Sequence, residues 1–316
     1  MERQPQIDYA DVARHLGVAS IVGIGESTHG THEFFETKAE VFKILVTDHD
    51  FDVLFLESVD DHCKAINNFL YTGEGNLEEL VNKLFYVYRT EEVKDLLKWL
   101  REHHDEHPVS LVGIDERKYV DDYQDGYSLE KVNLRDKRMA EVVKQHRSKH
   151  SSSRGMIWAH DAHIAAYLNP PEFAPGGRHI PMGENLRNWF GNDYYSVAQL
   201  FGIGHFSAAL IEEAGEFDNS KLISHYARKT SKYFWENHLG KILASPTFLE
   251  GPDYAGLVES GEVHYQRGLG WGVKHSVMHD NGNVMYVDIS KAYNALLFFP
   301  RTTASHLLVQ ELGTEV

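Results

Sequence analysis

Continuous apolar segments of strand length recur along the chain and predict the strands of a buried sheet. Four come early, and four more follow in the second half; they are residues 20–24, 51–56, 110–114, 155–159, 194–201, 206–211, 284–287 and 294–299. Runs of this length without polar alternation are typical of parallel strands covered on both faces. The pattern therefore predicts an α/β protein with a mainly parallel central sheet flanked by helices.

Helical spacing of apolar residues separates these strands. After residue 31, large apolar side chains recur every three or four positions, which indicates a helix. The stretch 60–107 carries apolar residues only at that spacing, so we expect a helical insertion there. Residues 1–59 and 108–316 then form an α/β catalytic domain. Further helices are expected at 129–150 and 220–243.

Titratable residues follow the first four predicted strands. Glu26 and His29 come after the first, Glu57 after the second and Asp115 after the third, while the fourth ends in His160 and His163. Because parallel strands present their carboxyl ends at one edge of a sheet, we expect these groups to converge on one pocket. Each also has a plainer explanation, as a helix-capping carboxylate or a buried histidine bonded to a carbonyl.

The turn at residues 25–30 is the most specific of these sites. Glycines at 23, 25 and 30 allow tight turning and close approach of a ligand to the backbone. The plainer explanation is a helix cap, with Thr31 or a neighbouring hydroxyl as the N-cap and Glu33 in the first turn. Capping accounts for the hydroxyls but leaves Glu26 and His29 unexplained, which favours a site for proton transfer or metal binding.

Composition and charge indicate a globular protein and limit the partners that it can bind. The chain has 316 residues, 42% of them hydrophobic and 25% charged, as is typical of a globular protein. A net charge of −16 argues against nucleic acid or an anionic membrane as partner. One cysteine, Cys63, excludes an internal disulfide, and no apolar run approaches the ~20 residues of a membrane helix. We expect a cytoplasmic protein without a signal peptide; its oligomeric state is not predicted.

The candidate residues suggest hydrolysis by an activated water. The chain lacks the Gly-x-Ser-x-Gly elbow of serine esterases. A histidine can instead remove a proton from water while a carboxylate fixes its tautomer. Metal-dependent hydrolysis is the rival, because Glu26, His29, Glu57, His160 and His163 are all residue types that bind zinc. A metal-free mechanism is preferred, and a protein that binds a metal or haem without catalysis remains the alternative from another class.

Several motifs resemble those of the erythromycin esterase family. They occur in family order from about residue 20 onward, and comprise 25–30 with 33–35, then 55–57, 89–93, 113–115, 135–140, 158–163, 182–186 and 302–304. The family includes macrolide esterases and uncharacterised relatives. The resemblance implies hydrolysis of a small-molecule carboxylic ester or lactone, in a setting of antibiotic resistance or secondary metabolism.

The resemblance also implies roles for individual residues. His29 would be the general base, with Glu26 or Glu57 as its partner, and Arg135 or a histidine of the pair His160 and His163 would stabilise the oxyanion. Substrate contacts are expected from Arg89, Asp115 and Glu184.

The substrate is expected to differ from erythromycin. The chain is shorter than the macrolide-cleaving members, and Asp161 replaces an asparagine usual in the motif. The mouth of the pocket should be framed by the helical insertion and a loop at 170–177, with Phe85, Tyr86 and Tyr88 as apolar walls.

Overall fold

The computed structural model describes residues 7–116, 128–169, 177–211, 217–250, 265–270, 272–274 and 284–308. In these ranges the strands are β1 (Ile21–Ile24), β2 (Val53–Val59), β3 (Ser110–Asp115), β4 (Gly155–Trp158), β5 (Tyr194–Ile211), β6 (Phe217–Ala227), β7 (Thr247–Glu250), β8 (Tyr265–Arg267), β9 (Gly272–Lys274), β10 (Val284–Tyr286) and β11 (Ala295–Thr302).

The strands form a large sheet with the order β3-β2-β4-β1-β5-β11-β7. Every neighbouring pair from β3 to β11 is parallel, whereas β7 is antiparallel to β11. The far end of the long β5 also pairs with β6 (antiparallel) and β9 (parallel). Separately, β8 and β10 form a two-stranded antiparallel sheet. The predicted α/β class with a mainly parallel sheet is confirmed.

The described helices cover both faces of this sheet. They are α1 (Tyr9–Leu16), α2 (His32–His49), α3 (Asp60–Thr72), α4 (Leu77–Val81), α5 (Glu91–Glu102), α6 (Leu129–Lys149), α7 (Asp161–Ile164), α8 (Met182–Phe190), α9 (Trp235–Ile242) and α10 (Ile289–Ala292). Helices α3 to α5 form the crossover from β2 to the parallel β3. None of the helices described has the length and apolarity needed to cross a bilayer.

Strand alternation divides the core into two apolar layers. On β2, Leu54 and Leu56 pack into the layer that includes α1 to α5, whereas Val53 and Phe55 pack into the layer on the opposite face. Successive side chains of a strand point to opposite faces, so a strand covered on both sides must be apolar throughout. The continuous apolar runs of the sequence have this cause.

Two element predictions need correction. The segments 194–201 and 206–211 are one continuous strand, β5. The predicted helix 220–243 is wrong in its first part, because residues up to Ala227 belong to β6 and the helix α9 begins only at Trp235. The cause is a tertiary contact: β5 extends beyond the sheet core and offers β6 an antiparallel partner.

The loop predicted at 170–177 lies, except for its last residue, outside the described residues.

Candidate active site

The turn after β1 is held against its neighbours by backbone hydrogen bonds. The Gly25 and Ser27 amides donate to the carbonyls of Val197 and Gln199 on β5, at 2.8 and 3.1 Å. Gly30 contacts the backbone so closely that a Cβ there would lie 1.8 Å from the Ser207 carbonyl oxygen. A side chain at position 30 would push the turn away from β5. The turn therefore presents Glu26 and His29 in a fixed position.

His29 is oriented by a buried charge pair. Its Nδ1 lies 2.6 Å from Glu26 Oε1, and Lys38 Nζ donates to the other carboxylate oxygen, Oε2, at 2.6 Å. Glu26 and Lys38 are fully buried, and Lys38 also lies over the ring of Trp158. Burial lowers the pKa of Lys38, against the opposing effect of Glu26. The carboxylate accepts from Nδ1 and leaves Nε2 of His29 as a proton acceptor.

His160 supplies a neutral imidazole beside His29. The two ring centroids are 5.1 Å apart. Burial, followed by the charges of His29 and His163, holds the pKa of His160 well below its ordinary value. Its Nδ1 accepts the amide hydrogen of Ala162 at 3.0 Å, so the neutral ring carries its proton on Nε2. That Nε2 is buried and has no hydrogen-bond partner within the described structure.

Glu57 and Arg135 link the ends of β2 and β3 to α6. Arg135 Nη2 donates to Glu57 Oε1 at 2.9 Å and to Asp115 Oδ2 at 2.7 Å, and its Nε lies 3.1 Å from Asp115 Oδ1. The other Glu57 oxygen accepts the backbone amide of His160 at 2.9 Å. Burial would raise the pKa of Glu57, but the charges of His163, His29 and Arg135 outweigh it and lower the pKa well below the ordinary range.

His163 bridges two carboxylates. Its Nδ1 lies 2.8 Å from Asp136 Oδ1, and its Nε2 lies 3.2 Å from Glu57 Oε1. Although burial disfavours its charged form, Asp136 and Glu57 raise the pKa of His163 well above the ordinary value. Asp136 also accepts from His179 Nε2 at 3.0 Å and from the Met182 amide at 2.8 Å. Arg135 Nη1 also lies 3.2 Å from His163 Nε2, so protein groups engage both ring nitrogens and His163 is poorly placed to accept a proton from water.

Tyr88 adds a polar group that the sequence does not reveal. Its ring packs edge-on to His29, with centroids 6.5 Å apart, and its hydroxyl is buried without a hydrogen-bond partner among the described residues. Burial, together with Glu57, Glu26 and Asp115, raises its pKa well above the ordinary value. The hydroxyl consequently stays protonated and has a hydrogen to donate.

Six of the nine predicted site residues lie in this cluster: Glu26, His29, Glu57, Arg135, His160 and His163. Asp115 joins them through Arg135 rather than as an independent group. Arg89 and Glu184 make their described contacts elsewhere. The Arg89 Nε donates to the carbonyl of Leu84, and Glu184 pairs with Arg178 at 2.5 and 2.7 Å.

Metal-ligand geometry occurs at a different place. Within the described ranges, the one group of at least three histidine, cysteine, aspartate or glutamate residues with ligand atoms mutually within 4.8 Å comprises His32, Glu92 and His306. In the candidate site, the carboxylates of Glu26 and Glu57 and both nitrogens of His163 already contact protein groups. These contacts hold the three side chains in place within the described structure.

The sequence did not predict four residues as polar groups of the site: Lys38, Tyr88, Asp136 and His179. Lys38 had a visible signal, because it occupies an apolar position of α2 where a buried charge requires a partner. Asp136 follows Arg135 directly, and nothing in the sequence distinguishes it from a surface helix residue. The sequence predicts Tyr88 only as an apolar wall, whereas the structure shows that its hydroxyl is buried.

Comparison with known proteins places the chain in a family. The model of the family described as erythromycin esterase matches residues 46–126 and 116–302. The erythromycin esterase type II of Escherichia coli is 27% identical over 110 residues, which are 34% of this chain and 26% of that protein. The chain thus spans about a quarter of the length of this curated relative.

Solved structures show the same fold over almost the whole chain. A succinoglycan biosynthesis protein has a TM-score of 0.75 at 16% identity and covers 96% of this chain and 93% of its own. A histidine-to-asparagine mutant of the erythromycin esterase EreC, in its open conformation, has a TM-score of 0.69 at 15% identity, with 95% of each chain covered. At these identities the likeness concerns the fold, whereas the family match covers well over half of the sequence. The chain belongs to the erythromycin esterase family.

Proposed function

We propose that this protein is a hydrolase that cleaves a carboxylic ester or lactone with a water activated by His29. One observation carries the proposal. Glu26 fixes His29 at Nδ1, and no described hydrogen bond engages the other ring nitrogen, Nε2. The neighbouring ring is that of His160, whose buried Nε2 has no hydrogen-bond partner in the described structure. A proton acceptor beside a hydrogen-bond donor is what the addition of water to a carbonyl requires.

The reaction proceeds through addition and elimination. His29 Nε2 takes a proton from water as the water oxygen bonds to the ester carbon, and the carbonyl oxygen becomes an oxyanion. Glu26 stabilises the imidazolium formed, and Lys38 holds Glu26 in place. When the intermediate collapses, the C–O bond to the alcohol breaks and His29 returns the proton to the departing oxygen. The products are a carboxylic acid and an alcohol.

His160 is the preferred donor to the oxyanion. Arg135 and His163 were the other candidates, but their described contacts join them to each other and to Glu57, Asp115 and Asp136. A neutral His160 has an Nε2–H to donate and carries no charge that would compete with protonation of His29. The Tyr88 hydroxyl is the second donor. Both groups are buried, where a hydrogen bond to a developing charge is strongest.

The proposed substrate is an ester or lactone other than erythromycin. Supporting this, the match to the E. coli relative spans only a quarter of that protein's length, so it gives no reason to assign that protein's substrate to this chain. The replacement of asparagine by Asp161 has no direct bearing on the substrate. Asp161 is fully buried and accepts hydrogen bonds from the Gln199 amide and Gln266 Nε2 at 3.2 and 2.7 Å.

A panel of carboxylic esters and lactones that includes erythromycin tests this proposal by mass spectrometry, with and without a chelator. We expect turnover of at least one ester, unaffected by the chelator, and little gain of water by erythromycin. Loss of activity with the chelator would favour the metal-dependent alternative. A stoichiometric Soret band with no hydrolysis would favour the haem-binding alternative, and rapid erythromycin hydrolysis would contradict the proposed substrate.

His160→Asn should lower kcat by about 10²–10³-fold, the usual cost of removing one oxyanion donor. Asparagine is a good N-cap, so the variant keeps an acceptor for the Ala162 amide while it removes the Nε2–H. Single-turnover kinetics on an ester identified in the panel provide the measurement.

Tyr88→Phe tests the second donor on the same ester, and we expect it to lower kcat, by less than His160→Asn, with little change in KM, because an oxyanion donor acts in the transition state. Tyr71→Phe on α3 is the control: this side chain is 54% exposed and its hydroxyl contacts Ser110 rather than the site, so kcat should stay unchanged. Wild-type kcat in His160→Asn would contradict the role given to this histidine.

A further inference from the structure

A second cluster of ligand-type side chains lies beside the candidate active site and takes no part in the proposed reaction. His32 is the first residue of α2, Glu92 lies in the first turn of α5, and His306 follows β11. His32 Nδ1 is 2.6 Å from Glu92 Oε1, and His306 Nδ1 is 3.4 Å from the same oxygen. The two imidazole rings are 4.5 Å apart between centroids.

The position of the cluster is set by backbone pairing. The His32 amide donates to the Thr303 carbonyl at 3.0 Å, and the Glu91 amide donates to the His306 carbonyl at 2.8 Å. The His306 amide donates to Glu92 Oε1 at 3.0 Å. Backbone hydrogen bonds therefore hold these three segments, which are distant in sequence, side by side independently of the side-chain contacts. The cluster is not a chance encounter of long surface side chains.

Burial and charge distinguish this cluster from a surface ion pair. The Glu92 side chain is only 5% exposed, and its Oε2 is buried with no hydrogen-bond partner in the described structure. The His306 side chain is 62% exposed, so the cluster is open to solvent on one side. The carboxylates of Glu36, 4.0 Å from His32 Nε2, and Glu33 add negative charge nearby.

A hydrogen bond alone explains only part of this arrangement. A proton shared between His32 and Glu92 accounts for the 2.6 Å contact, and this bond raises the pKa of His32. It leaves Glu92 Oε2 without a partner and gives no reason for a second imidazole at the same carboxylate. Two imidazoles and one carboxylate are ligands suited to zinc and similar divalent transition metals, and three protein ligands leave one coordination position for water.

We propose that His32, Glu92 and His306 bind one divalent transition-metal ion of the zinc type. The ion would join α2, α5 and the segment after β11 at the surface beside His29. The proposal is independent of the hydrolase reaction, because none of the three residues belongs to its machinery. Hard cations such as Mg²⁺ and Ca²⁺ prefer all-oxygen sites and are expected to bind weakly.

Metal titration of the full chain tests the proposal. The protein is purified without a histidine tag, treated with a chelator and titrated with ZnCl₂ at pH 7.5 by calorimetry. We expect one tight site per chain in the wild type, and an affinity lower by at least about 100-fold in Glu92→Gln and His306→Asn, more than the loss of an outer-shell partner typically causes. Co²⁺ should give visible absorption bands in the wild type that both variants lose.

A matched control separates this site from stray histidine binding. His146 on α6 and His150, the residue that caps the end of this helix, have ring centroids 4.8 Å apart and are the pair expected to compete for metal. His150→Asn should keep the tight site. The proposal is overturned if wild type and His306→Asn titrate alike, or if the tight site disappears in His150→Asn. Circular dichroism and melting temperatures without metal establish that each variant is folded.

Discussion

His29→Ala is expected to reduce kcat by about 10²–10⁴-fold, the contribution typical of a positioned general base. The side chain is only about 6% exposed, and its removal leaves Glu26 paired with Lys38, so the buried carboxylate keeps a charged partner. The fold should therefore survive the change. Steady-state kinetics on an ester from the panel, with circular dichroism on the same sample, provide the measurement.

His205→Ala is the control for this experiment. His205 is an exposed histidine on β5 and contacts Tyr226 and Ser224 rather than the site. Its removal should leave kcat within about twofold of wild type, because its described contacts lie away from the site. The protein should also stay folded, since surface changes of this kind alter stability by only ~0.5 kcal/mol. Wild-type turnover by His29→Ala would refute the proposed mechanism, whichever ester is used.

Arg135→Met is expected to destabilise the protein by about 3–5 kcal/mol, as is typical when one partner of a buried ion pair is removed. Arg135 is 12% exposed and pairs with Glu57 and Asp115, whose side chains are 8% and 4% exposed. Without the guanidinium, Asp115 loses its described charged partner, and Glu57 keeps the contacts with His163 and the His160 amide. Urea unfolding monitored by circular dichroism measures the free energy of unfolding.

Arg138→Met is the matched control, three residues further along α6. Arg138 is 51% exposed and pairs with Glu141 on the same helix, so its loss should cost no more than about 1 kcal/mol. Arg135→Lys should fall between the two, because an ammonium cannot form the paired hydrogen bonds to Asp115. Equal unfolding free energies for Arg135→Met and Arg138→Met would show that the buried network does not support the fold.

The pattern of apolar residues predicts the layers of this fold, because a strand of a parallel sheet that is buried on both faces must be apolar at nearly every position. The ends of β1, β2 and β4 were predicted for the same reason, and with them the meeting of Glu26, Glu57 and His160 at one edge. β6 was missed because its pairing depends on an extension of β5 that no local pattern records. Tertiary contact overrides local propensity in such strands.

The hydrogen-bond partners within the site were harder to predict than its location. Parallel topology brings strand ends together, but the sequence does not say which groups satisfy each other. Lys38 was the readable exception, since a lysine among apolar positions of a helix needs a buried counter-charge. The contacts of Asp136 depend on where α6 meets His179 and the start of α8, a long-range arrangement outside any sequence window. Arg89 matched a family motif, yet its described hydrogen bond is to Leu84.

The close approach at Gly30 also has a consequence for how the protein is made. The Gly30 carbonyl accepts the amide hydrogens of both Ser207 and Ser305, at 2.7 and 2.9 Å. The second bond joins residues from opposite ends of the chain, and such contacts form late because loop closure must come first. A ribosome must therefore release Ser305 before the turn that carries His29 can be completed. We expect nascent chains that stop short of this residue to lack activity even when most of the sheet has folded.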